Sequence, residues 1–155
     1  MENKKIEIYT DGGCRGNQNK ENVGAWGALL KYGDNIKEIS GGEYNTTNNR
    51  MELKGCIEGL KAIKNKNIPV VVYLDSAYVC NGITSWIDNW KKKGWVGSNK
   101  KPVLNKELWV ELDSLRGNFK NIQFVKVKGH SVNEGNNRAD ALCNEFMDKL
   151  ERERK

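Results

Sequence analysis

Residues 68–75 read I-P-V-V-V-Y-L-D, a nearly continuous apolar run opened by a proline and closed by an acid. Apolar residues on both faces are typical of a strand buried on both sides, which in α/β domains means a parallel strand inside a sheet. Upstream, residues 48 to about 64 place Leu53, Cys56, Ile57, Leu60 and Ile63 at three-to-four spacing, the stripe of an amphipathic helix. Before that helix, residues 5–10 alternate, with Ile6 and Ile8 on one face. Further strands follow at about 24–32 and 36–44, joined at Gly33-Asp34-Asn35. Short connections of this kind predict an antiparallel meander. Downstream, helical pattern runs from Ala77 to Lys93 with an interruption near Gly82, and again over about 105–116. A last strand at 122–127 and a helix from Asn136 to about Arg152 complete the order βββαβααβα. The expected fold is a single α/β domain spanning residues 1–155. Its five-stranded mixed sheet has three antiparallel strands first and then parallel ones, flanked by helices.

Asp75 follows the buried strand directly and Asp11 follows the first strand. In open α/β sheets the functional crevice lies beyond the C-terminal strand ends, at a topological switch point. If the strands preceding Asp11 and Asp75 are parallel neighbours, the two acids meet there. Glu52 and Asp140 fall near the starts of helices, on the flanks of their apolar stripes. Four carboxylates brought together raise one another's pKa unless a counter-charge is present. Hard divalent cations with oxygen ligands meet that need, and a pair of them suits phosphodiester hydrolysis. Each acid also fits a plainer role: Asp11 a turn former before Gly12-Gly13, Glu52 a capping-box partner of Asn49, Asp75 a helix N-cap and Asp140 a surface acid. Spacing alone does not choose between these.

The chain carries Y-T-D-G-G-C-x-G-N (9–17), T-T-N-N-R-M-E-L (46–53), D-S-x-Y-V (75–79), and K-G-H-S (128–131) followed by N-x-R-A-D (136–140). In these motifs, in this order, it resembles bacterial ribonuclease HI from Ile6 to about Leu150. The resemblance implies a ribonuclease H-like fold and hydrolysis of the RNA strand of RNA–DNA hybrids. Two-metal-ion catalysis is implied too, leaving 5′-phosphate and 3′-hydroxyl ends, with two Mg²⁺ ions that Mn²⁺ can replace. Asp11, Glu52, Asp75 and Asp140 match the family's metal-binding acids, Asp11 bridging both ions. His130 matches a loop histidine that assists proton transfer or product release. Cys14, Asn17, Asn48 and Asn49 match hybrid-contacting positions, and Thr47 and Asn105 match a pocket for a DNA-strand phosphate. Short polar groups that read 2′-hydroxyls are how a protein tells RNA from DNA. The loops 18–23 and 132–136 depart from the family's usual glycine- and proline-containing forms.

Residues 91–101 hold five lysines and no acid, and Trp86 and Trp90 lie one helical turn apart just before them. Lys91, Lys92 and Lys93 are candidates for phosphate contact, with the indoles packed beneath. The segment resembles the basic protrusion, here about 86–104, by which some ribonucleases H grip the DNA strand.

A net charge of +6 suits a polyanionic partner such as the hybrid duplex. Four scattered cysteines and one histidine argue against a zinc site, and Cys56 and Cys143 are expected as reduced, buried thiols. No apolar run reaches membrane-spanning length and no signal-like segment opens the chain, so a cytoplasmic protein is expected. A monomer without an obligatory protein partner is expected too. Two rival readings remain: a hybrid-binding module without catalysis, and a carboxylate nuclease acting on DNA.

Overall fold

A computed structural model describes residues 4–16, 22–97, 100–127 and 134–153. Three long strands, β1 (Ile6–Arg15), β2 (Val23–Tyr32) and β3 (Asn35–Tyr44), form the antiparallel meander. Helix α1 (Asn48–Lys61) crosses over to β4 (Val70–Leu74), which lies parallel to β1 with Ile8 opposite Val72 and Thr10 opposite Leu74. β5 (Ile122–Lys126) pairs parallel to β4, giving the order β3-β2-β1-β4-β5. The expected five-stranded mixed sheet is therefore present, with β1 at the switch between antiparallel and parallel halves.

The interruption read near Gly82 is a π-helical turn, Gly82–Trp86, between α2 (Ala77–Asn81) and α3 (Ile87–Lys92). Helix α4 (Lys106–Gly117) follows, and α5 (Glu134–Glu153) ends the described chain. One face of the sheet packs Ile8, Ala28, Leu30, Val70, Val72 and Leu74 against the apolar stripe of α1 and the buried Trp109 of α4. The other face packs Val23 and Ala25 against Cys143, Met147 and Leu150 of α5. Cys56 and Cys143 are buried, and all four cysteines are free thiols. The Cys143 thiol donates to the Ala25 carbonyl at 3.2 Å, fastening α5 to β2.

One boundary differs from the sequence reading in a way that matters for the site. Asp11 does not follow β1; it lies within it, paired with Gly27 of β2. Pairing with β4 stops at Thr10, so β1 continues for five residues on its β2 side alone. The polar and glycine-rich composition of 11–15 hides that extension, because a strand edge without an apolar face leaves no alternating signal.

Candidate active site

Two glycines set the distances between the acids. A Cβ on Gly12 would lie 2.6 Å from the Met51 carbonyl carbon and the Glu52 nitrogen. Only glycine lets the backbone of α1 touch β1 at this level, and that contact carries Glu52 to the side of Asp11. On the opposite face, a Cβ on Gly27 would lie 2.5 Å from the Ala139 carbonyl oxygen. Gly27 is the ladder partner of Asp11, so the close seat of α5 on β2 brings Asp140 to the same place.

The result is a compact group of carboxylates. Ligand oxygens of Asp11, Glu52 and Asp75 all lie within 4.8 Å of one another, and the three side chains are partly buried. Asp140, exposed on α5, shares a side-chain hydrogen bond with Asp11. The Asp11 carboxyl is pushed up to about 8, first by burial, then by its hydrogen bond to Asp140 and the charges of Asp75 and Asp140. Only the Gly12 N–H, donating to Asp11 Oδ1 at 2.9 Å, works the other way. Glu52 is raised well above the carboxylate range by burial and by the charges of Asp11 and Asp75. The Gly12 N–H and the Ser76 hydroxyl hydrogen-bond Glu52 and partly oppose that rise. The excess of negative charge and the all-oxygen donor set fit hard divalent cations.

The helix caps remove two plainer roles for these acids. Thr47, not Asn49, caps α1, its hydroxyl accepting the Arg50 N–H at 3.1 Å, so Glu52 has no capping-box duty there. Ser76 caps α2 by accepting the Val79 N–H at 3.1 Å, which frees Asp75 from that task. Asp11 sits in a strand rather than a turn.

A linkage argument gives a first expected result. For a carboxyl raised in the fold, stability is fully present below the ordinary carboxylate pKa and lost as pH rises through the folded value, here about 8 for Asp11. Carboxylates lowered by ion pairs, such as Asp113 and Glu38, lose their contribution only in acid below the ordinary range, outside this window. Metal-free protein should therefore melt lower at pH 8.5 than at pH 5.5. Solvent screening at these partly open groups leaves an effect of ~1 kcal/mol or more, about 2–4 °C for a chain of this size. Millimolar Mg²⁺ should remove the difference; thermal melts in chelator and in Mg²⁺ check it. A melting point that rises with pH in chelator would contradict the electrostatics of the cluster.

The other expected site residues fall into two groups around the acids. Cys14 lies on the β2-paired extension of β1, its thiol raised by burial and by Glu43. Asn48 stands beside Gly13, its Oδ1 3.9 Å from where a Cβ would be, and Asn49 is exposed next to it. Arg50 reaches Glu43 at 2.5 Å and Glu107 at 3.5 Å. It thereby joins the first turn of α1, capped by Thr47, to the first turn of α4, which Asn105 opens. Asn105 adopts φ 60° and donates from Nδ2 to the Tyr78 hydroxyl at 3.3 Å, which also accepts the Trp109 Nε1–H at 3.0 Å. Tyr78 and Arg50 were not singled out from sequence, although both lie inside the motifs quoted for the resemblance. Asn17 and His130 lie outside the described residues.

In the basic segment, Trp90 packs between Trp86, Trp95 and Trp109, with ring centroids 5.9, 6.2 and 5.2 Å away. Trp86 stays 39% exposed. An open cavity of about 430 Å³ is lined by Tyr78, Trp86, Trp90, Lys93, Lys101 and Leu104, among others. All three expected lysines are exposed, but Lys91 is also held by Asp113 at 3.1 Å. The aromatic floor and exposed ammonium groups suit a nucleic-acid backbone passing over them.

Residues 3–147 match the family model described as RNase H. The chain is 52% identical over 146 residues to the ribonuclease H of Ruthia magnifica subsp. Calyptogena magnifica, covering 94% of this chain and 97% of that protein. Among solved structures it is similar to LC9-RNase H1, a type 1 RNase H with the type 2 active-site motif. That match has a TM-score of 0.83 at 29% identity, over 96% of this chain and 74% of the other. It is also similar to LC11-RNase H1, solved in complex with an RNA/DNA hybrid. There the TM-score is 0.71 at 28% identity, over 94% of this chain and 99% of the other.

Proposed function

Since the chain belongs to the ribonuclease H family, we propose that it hydrolyses the RNA strand of RNA–DNA hybrids at the carboxylate cluster, leaving 5′-phosphate and 3′-hydroxyl ends. The observation that carries this reading is the convergence of Asp11, Glu52 and Asp75 within 4.8 Å, with Asp140 bonded to Asp11, in a chain of this family. Asp11, Glu52 and Asp75 would hold one divalent cation, and Asp11 with Asp140 a second, Mg²⁺ in preference and Mn²⁺ as substitute. Such cations, when bound, supply positive charge at the scissile phosphate and lower the pKa of an attacking water.

The chain's own residues supply position and charge. Asp11 and Glu52 would hold a hard cation in their carboxylate form. The Gly12 N–H fixes the Asp11 carboxylate, while Ser76, anchored on the Val79 N–H, orients Glu52. Cys14, Asn17, Asn48 and Asn49 would line the path of the hybrid and meet the 2′-hydroxyls. Thr47 and Asn105, at the starts of two helices that the Arg50–Glu107 ion pair joins, would receive a phosphate of the DNA strand. His130 would move a proton or ease product release. The segment 86–104 would act as the basic protrusion of a single domain, Trp86 and Trp90 flooring the DNA strand and Lys92 and Lys93 pairing with its phosphates. Lys91 contributes there indirectly, by pinning α3 to α4 through Asp113.

Lys92→Ala with Lys93→Ala should weaken hybrid binding without slowing the chemical step, and each lost phosphate contact should lower the salt slope by about 0.9. Binding isotherms across a salt series, beside single-turnover rates, test this. An unchanged slope would remove these lysines from the interface.

No helix among the described residues is long and apolar enough to cross a membrane. We propose a cytoplasmic monomer that needs no protein partner for catalysis. The function as a whole is tested by offering end-labelled hybrid, duplex DNA and duplex RNA in Mg²⁺. Cleavage confined to the RNA strand of the hybrid is expected. An intact RNA strand after long incubation would favour the binding module, and cut duplex DNA the DNA nuclease.

A further inference from the structure

Asp140 is held differently from the other three acids. Asp11 lies in a paired strand, Asp75 directly follows one, and Glu52 is seated by the close approach at Gly12. Asp140 is exposed near the start of α5. The buried side chains of that helix fall mostly after it, at Leu142, Cys143, Met147 and Leu150; before it only Asn136 and the small Ala139 are buried. Beside the first turns of α5 an open cavity of about 490 Å³ is lined by Leu29, Ile36, Glu38, Glu134 and Arg138, among others. Packing therefore does not brace the helix on its β3 side.

Two contacts hold the helix where packing does not. Arg138 donates from Nε to Glu38 Oε2 at 2.6 Å and from Nη2 to Glu38 Oε1 at 2.9 Å, tying α5 to β3. Two parallel bonds between planar groups fix direction as well as distance, which a single exposed ion pair does not. The further bond from Arg138 Nη1 to Glu145, at 3.4 Å, stays within the helix. The second contact is at Gly135, where a Cβ would lie 2.5 Å from the Tyr9 ring. That ring is stacked on Tyr73, its ladder partner, with centroids 4.9 Å apart and planes at 14°. Tyr9 and Tyr73 stand two residues before Asp11 and Asp75, so the stack ties the first turn of α5 to the strands that lead to both acids.

Helical spacing turns these contacts into a direction for Asp140. Successive residues lie ~100° apart around the axis. Ala139 sits over Gly27 of β2, its carbonyl oxygen 2.5 Å from where a Cβ there would be. In the strand order β3-β2-β1, Arg138 then turns to the β3 side and Asp140 to the β1 side, where Asp11 lies. The grip of Glu38 on Arg138 thus sets the roll of α5. A carboxylate ~6 Å from the axis moves by ~1 Å for a roll of about 10°. A shift of that size is enough to part Asp140 from its hydrogen bond with Asp11.

We infer that Arg138 and Glu38, together with the Tyr9–Gly135 seat, are positioning residues that set the roll of α5 and hold Asp140 against Asp11. The functional consequence rests on the proposed activity: the cation shared by Asp11 and Asp140 depends on this tie, whereas the one among Asp11, Glu52 and Asp75 does not.

Crystals of the metal-free parent, Arg138→Ala and Glu38→Gln give the first readout. In each variant the Asp11–Asp140 hydrogen bond should be lost and the Asp140 carboxylate displaced by about 1 Å or more. The second readout is the Mn²⁺ concentration for half-maximal single-turnover cleavage at saturating hybrid, which should rise about tenfold while the KM for hybrid stays at the parent's value. Arg138→Lys, which keeps the charge but not the fork, should fall between parent and Arg138→Ala. The double variant should be no worse than either single one, because both substitutions break the same tie. Gly135→Ala, which lifts the first turn off Tyr9 with the ion pair intact, should also raise the Mn²⁺ requirement. The inference is overturned if Asp140 keeps its place in the variant crystals, if the Mn²⁺ requirement is unchanged, or if the two substitutions add independently. A raised KM with an unchanged Mn²⁺ requirement would overturn it too, making Arg138 a substrate contact. If the parent cleaves no hybrid, the proposed activity fails, and the crystals still decide whether the tie positions Asp140.

Discussion

Asp11→Asn is expected to abolish Mg²⁺-dependent cleavage while leaving the fold and most hybrid binding intact. Asp11 lies near each of the other acids: it is within 4.8 Å of Glu52 and Asp75 and shares a hydrogen bond with Asp140. An amide of the same shape keeps the Gly12 contact but supplies no charge to a cation. Residues that merely support a ligand are worth about 10–100-fold in metal affinity or activity, so losing a shared ligand should cost more than ~100-fold. Stability should move the other way. With its carboxyl pushed up to about 8, ionised Asp11 opposes folding in metal-free protein at alkaline pH. The variant should therefore melt above the parent at pH 8.5 in chelator, by about 2–4 °C for ~1 kcal/mol. Single-turnover cleavage, hybrid binding and the two melting curves separate these effects. Full activity in the variant would contradict the assignment of Asp11, and loss of structure would show a scaffolding role instead.

The second large effect concerns residues that bear no charge. Gly12→Ala should place a methyl 2.6 Å from the backbone of Met51 and Glu52, and Gly27→Ala one 2.5 Å from the Ala139 carbonyl. Backbone cannot swing aside as a side-chain tip does, so the helices must retreat. Over-packing of this kind costs about 1–3 kcal/mol. The functional loss should exceed the stability loss, because α1 carries Glu52 and α5 carries Asp140, and a displacement of ~1 Å at a reacting centre can cost about 10²-fold. Cleavage measured well below the melting point is expected to fall at least tenfold in each variant. Unchanged cleavage in a destabilised variant would show that the acids tolerate movement of their helices.

These glycines also explain which parts of the site could be read in advance. The element order and the switch at β1 follow from periodicity: the run 70–74 has no polar face, and the stripe from Leu53 to Ile63 has one. Asp75 was legible because a buried strand ends beside it. The true place of Asp11 was not, since β1 continues on one edge only and 11–15 carry no alternation. The gathering of Glu52 and Asp140 depends on contacts between residues 12 and 51–52 and between 27 and 139. A periodicity argument puts both acids on the flanks of their apolar stripes but sees neither contact, because a glycine gives no pattern; the quoted motifs singled those acids out. The basic segment shows the same limit. Three adjacent lysines read alike in sequence and all are exposed, yet the turn of α3 points Lys91 at Asp113.

The claim that Asp11, Glu52, Asp75 and Asp140 together hold divalent cations is tested most directly by anomalous diffraction from crystals of the protein soaked in Mn²⁺ with bound hybrid. Peaks within coordination distance of the Asp11 carboxylate are predicted, one shared with Glu52 and Asp75 and one with Asp140. A Mn²⁺-active enzyme whose anomalous peaks lie away from Asp11 would contradict it.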